Sequence, residues 1–176
     1  QATAGDIASL QGADMIFYSG LLLEGKMAEL FVKMARRNPF VIAVTEDTDR
    51  ERLLEPPALK GHWDPHVWFD VDLWSEGVEV VRKGLAEYAP SHAPEFQTNA
   101  EVYTGELAEL HAWCQTTAAT LPAERRVLVT SHDAFSYFGR AYGFEVVGLM
   151  GISTVTEAGL ADIARTLRDA KVNIEY

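Results

Sequence analysis

Two short stretches carry most of the groups that could do chemistry. Residues 61–70 read GHWDPHVWFD, placing His62, His66, Asp64 and Asp70 among two tryptophans and a proline. Residues 130–135 read TSHDAF, with His132 between Ser131 and Asp133. Imidazole and carboxylate groups are ligands for divalent transition metals, and imidazole also serves as a proton carrier near neutral pH. A metal site or an acid–base site is therefore the chemistry to weigh.

His62 and His66 are four apart, a spacing that would align two ligands on one helical face. Pro65 works against a helix here, because it pushes Asp64 out of the helical region. His62 then reads as an exposed loop histidine. His66 follows Asp-Pro and precedes Val67, Trp68 and Phe69, which must bury, so its ring has a defined direction. On spacing alone it fits a hydrogen-bonded structural histidine as well as a ligand. His132 stands at the carboxyl end of the strand-like RVLVTSH, just before helical sequence. Ligands of open α/β sheets bind at that end, which favours a site over helix capping. His92 and His111 read as surface or groove-packing residues, and Cys114 as a small hydrophobe on an apolar stripe. Ser131, His132 and Asp133 cannot form a catalytic triad, since consecutive side chains point apart.

The elements that must hold these residues alternate. Apolar runs at 15–20, 40–46, 127–132 and 144–151 read as buried strands of a mostly parallel sheet. A helix with Met27, Leu30, Phe31 and Met34 on one face lies between the first two. Another runs from Asp72 to about Tyr88, with Asp70 or Asp72 as candidate cap. A third opens at Thr154 in a capping-box pattern closed by Glu157, and KVNIEY at the end reads as the start of a strand. This is an α/β chain. From about Pro94 to Leu121 the rhythm changes: Phe96, Ala100, Tyr103, Leu107, Leu110, Cys114, Thr117 and Leu121 recur at steps of four and three. One amphipathic helix of ~26 residues would span roughly 39 Å, long enough to be a rigid connector between two lobes. The expected organisation is a first lobe over 1–90, the connecting helix over 91–122 and a second lobe over 123–176.

Composition narrows the function. The 176 residues carry a net charge of −11 with scattered basic residues, which disfavours nucleic acid and favours cations. Mean hydropathy is near zero, and no run approaches the ~18 apolar residues of a membrane span. One cysteine excludes an intrachain disulfide and a paired-cysteine metal site. Gln1 opens on what reads as mid-domain sequence with no secretory signal, and the chain is expected to be a fragment.

DPHVWFD, a long helix, and RRVLVTSHDAFSYFGRAYGFEVVGLMGIST together resemble the TroA-like family of zinc and manganese substrate-binding proteins of ABC transporters. The opening ATAGDIASLQGADMIFYSGLLLEGKM is similar to the segment after that family's first ligand loop, so the resemblance covers all but the last few residues. It implies two α/β lobes joined by a backbone helix, with a metal held between them by four side chains. His66 would be the second ligand, from the first lobe, and His132 the third, from the second lobe. The first and fourth, a histidine and an aspartate, would fall before Gln1 and after Tyr176. Asp64 and Asp133 are candidates for orienting the two imidazoles.

The implied function is a monomeric, non-enzymatic bacterial protein, periplasmic or membrane-anchored on the outside, that carries Zn²⁺ or Mn²⁺ to a membrane permease. Histidine at the third position leans towards zinc, since some manganese-importing relatives have glutamate there. The histidine-rich loop that dedicated zinc scavengers carry before DPH is replaced by acidic sequence. Two alternatives remain at this point: a zinc hydrolase using His66 and His132, and a surface adhesin.

Overall fold

The computed structural model of the protein describes residues 3–150 and Arg165. The helix expected at Thr154 and the terminal KVNIEY strand lie outside the described residues.

Two small parallel sheets form, as the continuous apolar runs require. β1 (Ile16–Tyr18) pairs with β2 (Val41–Ala43), Ile16 opposite Val41. β3 (Val127–His132) pairs with β4 (Glu145–Met150), Val127 opposite Glu145. β1 and β2 are shorter than their apolar runs. The chain leaves the ladder after Ala43, whose carbonyl accepts the Glu46 N–H in a turn. β3 is half-buried over Val127–Thr130 rather than fully buried.

The helices are α1 (Ala4–Gln11), α2 (Ala28–Ala35), α3 (Val71–Tyr88), α4 (Ala93–Ala119) and α5 (Ser136–Tyr142). α1 went unread in the sequence. Thr3 caps it, accepting from the Asp6 N–H while Asp6 accepts from the Thr3 N–H, a capping box with aspartate in place of the usual glutamate.

By contact the chain forms two compact units, each built from two stretches of sequence. One contains Gln1–Arg52 and Leu73–Leu107; the other contains Leu53–Asp72 and Ala108–Tyr176. Contact, not chain order, sets these limits, and residues 53–72 pack with residues from α5. In the first unit Ile16, Phe31 and Val41 form the core, with Met27 and Met34 partly covered against it. Tyr18 stacks on Phe31 at 4.7 Å between ring centroids. α3 lies directly on this sheet: a Cβ at Gly84 would stand 2.7 Å from Ile42 Cδ1.

The long helix is present, but its covered stripe differs from the one expected. Leu107 and Ala118 are buried, with Phe96, Ala100, His111 and Cys114 half-buried. Tyr103, Leu110 and Leu121 are exposed at 45, 44 and 38 %. Phe96, Tyr103, Leu110 and Thr117 step by seven, and on a straight helix such a series falls behind by ~20° per heptad. All members of this series after Phe96 lie off the covered face, and His111 and Ala118 are covered in their stead.

Candidate metal centre

His66 belongs to a loop that the second unit holds from several sides. The backbone at His66 has φ −84° and ψ 41°, outside a helix. Val67 is 2 % exposed, and Phe69 packs on Phe135 with centroids 4.2 Å apart. These contacts fix the ring's direction. Asp64 has no exposed surface, and its Oδ1 accepts the His66 N–H at 3.0 Å and lies 2.6 Å from His66 Nδ1. A proton on Nδ1 then points at the carboxylate, and Nε2 keeps its lone pair for an electrophile. Asp64 Oδ2 is buried with no hydrogen-bond partner among the described residues.

His132 ends β3, where the sequence placed it. Its carbonyl accepts from the Ala134 N–H at 3.0 Å and from Thr130 Oγ1 at 2.9 Å, which pins the backbone at the strand's end. Its ring meets that of His66 at 5.2 Å between centroids, with the planes 75° apart. Asp133 completes the cluster. Burial pushes its carboxyl above the usual range and the Asp64 charge pushes it further, while His132 and His66 act in the opposite direction. Gly148 makes room for it, because a Cβ there would stand 2.5 Å from Asp133 Cβ.

The remaining histidines stay apart from this pair. His62 is exposed, and His92 sits near Glu95 at the start of α4. His111 shares hydrogen bonds with Gln115 and with the Tyr142 hydroxyl. Cys114 also reaches the Tyr142 hydroxyl. Among the described residues no group of three or more His, Cys, Asp or Glu side chains is arranged to hold an ion. The two histidines are thus a pair of donors backed by two carboxylates.

The sequence reading missed the supports in α5. Tyr137 has no exposed surface, and its hydroxyl accepts the Leu54 N–H at 3.0 Å and donates to the Asp64 carbonyl at 2.9 Å. Burial pushes it up to about 12, so it remains a donor. Tyr142 accepts from the Val71 N–H at 3.4 Å, and Arg140 Nη2 donates to Asp70 at 3.1 Å. A buried tyrosine needs a hydrogen-bond partner, and SYFGRAY signals that need without naming the partner.

Residues 1–174 match the family described as zinc-uptake complex component A, periplasmic. The chain belongs to this family. Among curated relatives, the zinc-binding protein TroA of Treponema pallidum is 48 % identical over 92 % of this chain and 52 % of its own length. The manganese-binding lipoprotein MntA of Bacillus subtilis is 42 % identical over 93 % of this chain and 53 % of its own. The solved structure of the Treponema pallidum periplasmic zinc-binding protein TroA superposes with a TM-score of 0.90 at 45 % identity, covering 97 % of this chain and 62 % of that one. The chain spans about half the length of the curated relatives it matches. The TroA-type α/β fold expected from the sequence is thereby established for this member of the zinc-uptake family. Among its described residues no helix is long and apolar enough to cross a membrane.

Proposed function

We propose that this chain is part of a solute-binding protein that captures a divalent transition metal outside the cytoplasm and delivers it to the permease of an ABC transporter. His66 and His132 bind the ion; Asp64 and Asp133 orient and balance the imidazoles. Zinc is the preferred cargo and manganese the second. The protein is a binding protein and not an enzyme, acts as a monomer without nucleic acid, and works in the periplasm or anchored to the outer face of a membrane. On this reading residues 91–122 join the lobes of the complete protein, and the other two ligands come from outside this sequence.

The spacing of the two rings is the observation that carries the reading. A Zn–N bond of about 2.05 Å plus a ring radius of roughly 1.15 Å puts each centroid about 3.2 Å from a shared ion, and a tetrahedral angle then separates the centroids by about 5.2 Å. His66 and His132 stand 5.2 Å apart. The buried carboxylate on His66 Nδ1 is the support that metal-bound imidazoles ordinarily have. The relatives named above for zinc and manganese agree with the pair of candidate ions.

The test is equilibrium dialysis of the full-length protein with Zn²⁺. His66→Ala and His132→Ala each lower affinity by orders of magnitude, and His66→Ala also lowers metal-free stability because it takes the ring donor from the buried Asp64 carboxylate, while His62→Ala has little effect. Equal losses at His62 and His66 would sink the assignment.

A further inference from the structure

Within the second unit, residues 54–64 form a loop whose two ends meet at one point. There the Asp64 N–H donates to the Leu54 carbonyl at 2.8 Å. The Tyr137 hydroxyl sits in the same neck, accepting from Leu54 and donating to Asp64 at 3.0 and 2.9 Å. Asp64 is therefore held by its backbone on both sides of the peptide, and its carboxylate has no solvent to turn into, being wholly buried. The only donors on that carboxylate in the described structure belong to His66, through N–H at 3.0 Å and Nδ1 at 2.6 Å. Tyr137 itself is locked, with no exposed surface and the Arg140 guanidinium 5.1 Å over its ring.

From this series of contacts we infer that Tyr137 is a positioning residue of the metal centre: through the Asp64 backbone it sets the carboxylate that aims the His66 imidazole. The inference rests on His66 being a ligand. Tyr137 touches neither His66 nor the ion. A backbone shift of a few tenths of an ångström at Asp64 is passed directly to a ring whose lone pair must meet the ion within narrow limits, which is why supporting groups of this kind alter metal affinity. A tyrosine that merely filled the core would stabilise the fold without caring whether His66 is present.

That difference is measurable with a double-mutant cycle in the full-length protein, reading Zn²⁺ affinity by chelator competition and metal-free stability by thermal melting. Tyr137→Phe keeps the ring and removes only the hydroxyl. Zinc affinity falls about tenfold. In the His66→Ala background the same substitution changes affinity by less than roughly twofold, because the coupled partner is gone. Nitrogen-15 NMR of the metal-free protein shows the His66 proton on Nδ1, and Tyr137→Phe moves it towards a mixture of tautomers. Equal losses of affinity in both backgrounds would make Tyr137 a general support and overturn the inference, as would wild-type affinity and tautomer in Tyr137→Phe. Unchanged affinity in His66→Ala alone removes the ligand assignment, and this inference with it. The two failures are distinct, since only the second leaves His66→Ala fully active in binding.

Discussion

Among the described residues each unit has a two-stranded parallel sheet, and the loops of the two units show two uses of a carboxylate. After β1, Glu24 Oε1 accepts the Ser19 and Gly20 N–H groups at 2.7 and 3.2 Å. This holds a loop in which Leu21 and Leu22 have φ of +52° and +66°, a conformation leucine adopts only when its surroundings enforce it. In the second unit the carboxylates also serve side chains: Asp64, in the loop before α3, accepts from the His66 N–H and meets its ring, and Asp133, after β3, lies in the field of both imidazoles. Position at the carboxyl end of a strand does not by itself make a site. A carboxylate consumed by backbone N–H groups shapes a loop; one that faces an imidazole sets the direction of its ring.

Changing the donors should have the largest effect on this contrast. His132→Glu replaces nitrogen with a hard oxygen donor, and in the full-length protein the preference for Zn²⁺ over Mn²⁺ should narrow by about tenfold or more. Competition dialysis at equal free metal reads it. Manganese displacing zinc from the unmodified protein would show that donor type does not set the preference.

Raising the pH probes the tyrosines that brace the second unit. Tyr137 and Tyr142 are both pushed from 10.0 to about 12, mainly by burial. The unfolded chain loses these protons near pH 10 while the folded chain holds them. Their stabilising contribution is therefore complete below pH 10 and is lost as pH rises through about 12. For Tyr137 the full loss is about 2–3 kcal/mol. Tyrosinate absorbance should show these two titrating late, with Tyr18 also displaced upward by its burial, together with falling denaturation midpoints. Late titration with no loss of stability would break the link between burial and bracing.

The smallest effect belongs to the first unit. Glu24→Ala leaves two N–H groups without their acceptor and should cost about 1–3 kcal/mol in chemical denaturation. Glu24→Gln, which keeps an acceptor oxygen, should cost less. Zinc affinity should stay within roughly twofold in both. A large loss of affinity would mean that this loop also serves the metal centre.

Legibility in the sequence followed the range of the interaction that decides each feature. The strands at 127–132 and 145–150 and helix α3 were readable because local periodicity and turn residues specify them. His132 was readable because the end of an apolar run locates it. His66 became a candidate ligand only through the family resemblance, since DPH alone allows a structural histidine. The stripe on α4 was misjudged at Tyr103, Leu110, Thr117 and Leu121 because steps of three and four look regular in one dimension while the helix turns at 3.6 residues. The roles of Tyr137 and Tyr142 depend on partners 83 and 71 residues away, Leu54 and Val71, and no local pattern reports such pairings.

The tied neck at Leu54 and Asp64 separates the loop's content from the position of His66. Glu55, Pro57, Lys60, Gly61 and His62 face solvent, so little of the fold depends on what they are. Closing a flexible loop twice as long costs only about 0.6 kcal/mol more. Residues 60–62 therefore form an exchangeable tip: evolution, or an engineer, can lengthen it, recharge it or hang a reporter from it while His66 keeps its place.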